Sequence, residues 1–403
     1  MERNPFLGAL AAILLAPALL FVPHFATGAA FSAADVRGGF MPYRGEGFPR
    51  ARNWHLVDPC VQFEGWDRFT DAELAAGRAP LWNPREGAGV PHLANAQSAV
   101  FFPLTHLPGL LGARWGLLLR AYLRVALALG FAYALWRDLG CRRAAALFGG
   151  VAFAFSGAVL LWLPWPQTNV TIFLPLLCWC ARRAADPRRG LAGALWPLPP
   201  VVALQFLGGH PETSLLIVLA ATALFVWTLA GEAGLGRRER LARFAAFAAA
   251  GLLGGIMAGA HLAPFLDYLR SSSALEARAA GIERGKPLLN ALRLIAPTFL
   301  GHPVDRTEWA PPSAMLLGSG IGYVGIAPLV LAFVPTSEPG KRRARRFFAG
   351  LAAAGLLATY AIWPVGEVVA RVPVLRLGLD DRFAIWFVLG AAGLGALGLD
   401  AAL

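Results

Sequence analysis

The chain is short of charge: 15% of its 403 residues are charged and 57% are hydrophobic. An ordinary soluble domain is roughly 25% charged, so the deficit argues against a soluble enzyme. The same hydrophobicity excludes a disordered chain. Cysteine is scarce. Cys60, Cys141, Cys178 and Cys180 fall in at least two compartments of the topology below, which speaks against pairing. Cys178 and Cys180 lie in an apolar run and read as packing rather than metal ligands. Glycine and proline are plentiful but follow no collagen-like period. No GxxxxGK[ST] loop is present, which speaks against a primary ATP-driven pump. No metal-ligand spacing occurs in the polar loops, so no metal site is predicted.

Long apolar runs are what the chain does have. A bilayer core of about 30 Å needs around 20 apolar residues per helix. Ten runs approach this, at about 6–26, 115–136, 144–162, 169–181, 191–208, 213–230, 244–266, 314–334, 347–364 and 383–402. The first reads as a retained span rather than a signal peptide, because it is long and lacks a clear cleavage site. The net charge of +12 is concentrated in four places: Arg137/Arg142/Arg143, Arg182/Arg183/Arg188/Arg189, Arg237/Arg238/Arg240/Arg243 and Lys341/Arg342/Arg343/Arg345/Arg346. The alternating short loops Leu163–Thr168 and Gly209–Glu212 carry no Lys or Arg. The positive-inside rule then puts the N-terminus and all four basic loops in the cytoplasm. Basic residues used this way mark topology, and nucleic acid is not an expected partner. The expectation is an all-α, polytopic transmembrane helix bundle of about ten spans in one membrane domain, 1–403, of a cytoplasmic membrane. Its outer segments are about 27–114, 267–313 and 365–382.

Nearly every unusual polar residue lies in those outer segments or at their edges. Phe63, Trp66 and Phe69 recur every three residues, with Glu64, Asp67, Arg68 and Asp71 between them. Such a helix either lies among lipid headgroups or packs on the protein's own spans. Pro80-Leu81-Trp82-Asn83-Pro84 and the following Gly87, Gly89 and Pro91 forbid a regular helix. The segment is a structured binding loop or a connector held by its own turns. Arg120 and Arg124 are spaced i, i+4 near the outer end of the second run. They either face an anionic partner inside the bundle or snorkel to headgroups. Arg376 and Arg382 form a second basic cluster, which Asp380 and Asp381 would pair with in a plain salt-bridged loop. His210 and Glu212 sit in a very short turn, as functional groups or as a helix cap with a favourable first-turn carboxylate. Asp267 and Arg270 read as a helix-surface ion pair.

Asp58-x-x-x-Gln62, Pro80-Leu81-Trp82-Asn83-Pro84, Gly89-x-Pro91 and Ala94-Asn95-Ala96-Gln97-Ser98-x-x-Phe101-x-Pro103 together resemble the first outer loop of the bacterial YfhO-like membrane proteins. Gly209-His210-Pro211-Glu212, Pro264 to Ser272, Pro297-x-Phe299-x-Gly301, Tyr323-Val324-Gly325-x-x-Pro328-Leu329 and Leu375-Arg376-x5-Arg382-Phe383 fit the same family in order. That family is similar to GT-C glycosyltransferases, polytopic enzymes that take a sugar from a polyprenyl-phosphate carrier on the outer membrane face. The resemblance implies an acidic residue of the first outer loop near the reacting centre, and Asp58 matches it. Arg120, Arg124, Arg376 and Arg382 would then hold phosphate, and Trp82, Asn83 and Gln97 would shape a pocket. His210 and Glu212 are further binding candidates. Glu212 departs from the family's usual Gln. The expected partners are a polyprenyl-phosphate sugar donor, membrane lipids and a cell-envelope glycan or protein acceptor. No cofactor is assigned, although some GT-C enzymes use a divalent cation. Members usually continue with more spans and an outer C-terminal domain, so a chain ending at Leu403 matches a fragment or a shortened relative. From a different class, a lipid-linked sugar flippase or a non-catalytic membrane scaffold would use the same embedded arginines.

Overall fold

Apolar side chains repeating on all sides of a helix leave it only two stable settings, a protein core or a lipid phase. Enclosed and outward-facing helices both occur in the computed structural model, which describes residues 5–40, 44, 51, 53–281, 284–302, 307, 309 and 320–403. Among those residues most of the protein is helical, and one two-stranded antiparallel pair is found. Five helical stretches are long and apolar enough to cross a membrane: Leu7–Thr27, Pro103–Asp138, Pro211–Ala230, Arg237–Met257 and Asp380–Ala402. The protein is therefore a helical membrane protein. The Arg237–Met257 and Leu7–Thr27 stretches are mostly exposed, whereas Asp380–Ala402 runs through the core.

Every apolar run of the sequence carries helix, with different boundaries. The 144–162 run stops being one helix at Ala154, and Gly157–Leu160 forms a separate turn. The 169–181 run is divided between Pro166–Thr171 and Phe173–Ala185. The 191–208 run breaks before Leu198, where Pro197 interrupts it. Part of the 314–334 run, 314–319, lies outside the described residues; its remainder includes the helix Ile326–Leu331. The basic segment 341–346 is no loop but the start of Pro339–Thr359, and Arg237 to Arg243 likewise open a helix. Long basic side chains tolerate this because their stems are apolar.

The core forms where the last helix packs on Pro339–Thr359 and Arg143–Ala154, and where Leu107–Asp138 packs on Arg143–Ala154 and on Phe173–Ala185, which Pro211–Ala230 covers. Trp136, Phe153, Phe348, Leu129, Leu174 and Phe225 are fully enclosed there. Close approach depends on small residues, as expected for packing between membrane helices. A Cβ on Gly390 would lie 2.6 Å from the Phe348 carbonyl, and one on Gly393 would lie 2.7 Å from the Trp136 ring.

The four basic segments gather at one end of this bundle. Asp138 pairs with Arg182, Arg183 and Arg189. Asp400 takes Lys341 and the backbone N–H of Arg142. Arg243 donates to the carbonyls of Ala184, Pro187 and Arg189, which close a neighbouring helix end. The opposite end carries the segment 53–106, the short helix Ala274–Gly281 and the loop around residue 379.

Candidate functional site

Asn53 opens the first element of this end by accepting the His55 N–H at 3.0 Å. The chain then winds through Pro59–Phe63 into the helix Glu64–Ala75. Phe63, Trp66 and Phe69 are buried, so this helix packs on the protein's own body and not among headgroups. Asp58, half-buried at its start, accepts a hydrogen bond at 3.4 Å from the indole Nε1 of Trp165. Trp165 meets Trp162 edge to face, with centroids 5.2 Å apart. The guanidinium of Arg382 lies 4.7 Å from the Trp162 ring centroid. A carboxylate, two indoles and a guanidinium thus form one continuous row.

Arg382 is buried, yet its Nε and Nη1 have no hydrogen-bond partner among the described residues. Its nearest carboxylate oxygen, on Asp381, is 3.9 Å away. Asp380 does not pair with it and instead binds Arg284 and the Gly285 N–H. The plain salt-bridged loop is therefore only half formed, and Arg382 keeps donors to spare.

Arg120 and Arg124 are both buried and line one cavity of about 220 Å³, beside Glu64, Pro59 and Leu163. They do not snorkel. Arg120 pairs with Asp67 at 2.7 Å, and Arg124 binds the Asn169 side chain at 2.8 Å and the Leu163 carbonyl. Glu64 is occupied by the Ser32 hydroxyl and the Ala33 N–H. Burial, with the Asp67 charge beside it, pushes the Asp71 carboxyl above its usual range.

A second cavity, about 440 Å³ and mostly apolar, opens beyond Gln97. His210, Glu212 and Arg278 stand on its wall with Leu216, Phe265 and Leu379. Gln97 also borders the small space beside Asp67, Arg120 and Arg124, so it lies between the two cavities. His210 caps the helix Pro211–Ala230 through Nδ1, which accepts the Thr213 N–H. Burial, reinforced by Arg382 and Arg278, holds this imidazole well below its usual range, so the ring is neutral at pH 7. Glu212 accepts from the Leu379 N–H and from Arg278.

The sequence candidates are thus divided. Asp58 and Arg382 share the tryptophan row, Arg120 and Arg124 share the first cavity, and Gln97, His210 and Glu212 share the second. Arg376 is exposed on the segment beside that second cavity. Trp82 and Asn83 line none of these spaces. They form a short strand against Val90–Pro91, with Asn83 holding the Arg85 N–H, as a connector does. Asp267 and Arg270 form no ion pair. The residues that sequence reasoning missed are Asp67, Arg278, Trp162 and Trp165. Trp162 and Trp165 did carry a signal: two indoles three apart beside a loop without charge. Among the described residues, no group of three or more His, Cys, Asp or Glu side chains is placed to hold a metal ion.

No family model matches this chain, and no curated protein or solved structure matches it.

Proposed function

We propose that the chain is a membrane glycosyltransferase of the GT-C-like, YfhO-like type. It moves a sugar from a polyprenyl-phosphate donor to a cell-envelope acceptor on the outer face of the cytoplasmic membrane. The observation that carries this reading is the row from Asp58 to Arg382, which ends in a buried guanidinium with two N–H groups unused. A buried cation without its complement of acceptors is costly, and a phosphate oxygen would supply what is missing.

In the reaction, the acceptor hydroxyl oxygen bonds to the anomeric carbon of the donor. The bond from that carbon to the phosphate oxygen breaks, and its electron pair leaves with the phosphate. Asp58 takes the hydroxyl proton as general base. Arg382 neutralises the phosphate as its charge grows, with Arg376 close by on the same segment. Arg120 and Arg124 shape the wall of the first cavity, their own donors engaged by Asp67, Asn169 and Leu163. The ten-pass topology with the N-terminus inside belongs to the same proposal. It is supported by the gathering of the four basic segments at one end, opposite Asp58.

The test is Asp58→Asn in cells whose envelope glycans are analysed. A general base is worth about 10² to 10⁴ in rate, so the modification should disappear at normal protein level. Unchanged glycosylation would remove Asp58 from the mechanism.

A further inference from the structure

The second cavity is walled on one side by two pieces whose hold on the bundle core includes the partly buried Leu375. One is the short helix Ala274–Gly281 and the other is the strap 374–379. The strap's single turn, Leu375–Leu377, has no buried residue. Their link to the helix body runs through Glu212. Its Oε1 accepts the Leu379 N–H at 2.6 Å, and its Oε2 faces Arg278 Nη1 at 3.2 Å. The same Arg278 nitrogen donates to the Leu377 carbonyl at 3.1 Å, which ties the two pieces to each other. At its far end the strap is fixed. Asp380 is buried and bound by Arg284 at 2.8 Å and by the Gly285 N–H at 2.7 Å.

We infer that Glu212 is a catch that fastens the helix Ala274–Gly281 and the strap 374–379 as a cover over the second cavity, with the Asp380 anchor as its hinge end. One side chain makes the polar contacts to both pieces, so opening needs that carboxylate released and the apolar contact of Leu375 parted. Glu212 stands in the first turn of the helix Pro211–Ala230, where a carboxylate is favoured and well oriented. The cavity behind the cover is lined mainly by leucine and phenylalanine, including Leu215 and Leu216 on that same helix. The catch controls entry to this cavity whatever chemistry is carried out beside it. It bears on the transfer reading only as regulation of access to the site.

The test uses the full chain in detergent micelles and no sugar donor, so its failure is separable from failure of the transfer reading. Leu215→Cys places a thiol on the cavity wall, and the native Cys60, Cys141, Cys178 and Cys180 are all buried. Alkylation of that thiol by a neutral maleimide reports opening. Adding Glu212→Ala should speed alkylation about tenfold, the loss expected when charge-assisted hydrogen bonds to both pieces go. Arg278→Ala, at a largely exposed side chain, leaves the Leu379 contact intact and should give a smaller rise. Equal alkylation rates with and without the Arg278 and Glu212 substitutions would overturn the inference. Alkylation as fast in the parent Leu215→Cys protein as in its urea-unfolded form would overturn it too.

Discussion

At the residue scale, the site separates groups whose charge is spent from groups whose charge is available. Arg120 is spent on Asp67 in a buried pair. Arg120→Ala would leave that carboxylate buried and alone, at about 3–5 kcal/mol. Thermal unfolding in detergent should show a large drop, and Asp67→Ala on top of it should recover much of the loss. Arg382 is available. Arg382→Lys keeps the charge but loses the flat guanidinium that lies over Trp162, so transfer should fall at least tenfold while the unfolding midpoint stays close to that of the parent. His92 is a third case. It is buried against Phe69 and bonded to the Thr70 hydroxyl, and burial lowers its pKa to about 4. The unfolded chain binds this proton near pH 6.5 and the folded one only near 4. Stability from His92 is therefore complete above pH 6.5 and is lost as pH falls towards 4. A pH series of unfolding midpoints should show that slope, and His92→Gln should flatten it.

At the element scale, the first polar segment is held by its own side chains. The Trp66 indole donates to Glu86 at 2.7 Å, and Asn83 reaches the same carboxylate. Glu86→Ala should loosen the 82–91 hairpin by about 1–3 kcal/mol, read as faster amide exchange confined to that segment. The prolines and glycines there made a non-helical segment legible, because the rules they obey are local. The apolar runs were legible for the same reason. Asp67 was not. Its spacing placed it on the polar face of an amphipathic helix, and its partner, Arg120, comes 53 residues later in the chain. Phe63, Trp66 and Phe69 leave two settings open in the sequence, and packing of Phe63 and Trp66 against Leu56 and the Trp162–Trp165 turn, with Phe69 against His92, decides between them.

At the scale of the whole molecule, charge places the ends and packing places the helices. The positive-inside pattern alone sets the arginines of the basic end in loops. Several open or close helices instead, because hydropathy locates a span's middle better than its ends. The topology predicts that Arg238→Cys and Arg376→Cys, both exposed, label from opposite sides of a sealed vesicle. Labelling from the same side would reverse the assignment of the ends. That the division of the site into two cavities escaped sequence reading is physically reasonable. The loop that carries Gln97 passes the turn before His210, where a Cβ on Gly209 would lie 2.6 Å from the Ala96 carbonyl, and no local pattern encodes that approach.

The most direct measurement is made on purified protein in proteoliposomes loaded with a radiolabelled polyprenyl-phosphate sugar and an envelope glycan acceptor. The account predicts label on the acceptor, free polyprenyl phosphate in equal amount, and neither product with Asp58→Asn. Label that crosses the bilayer still attached to its carrier, or that never leaves the carrier, would contradict it.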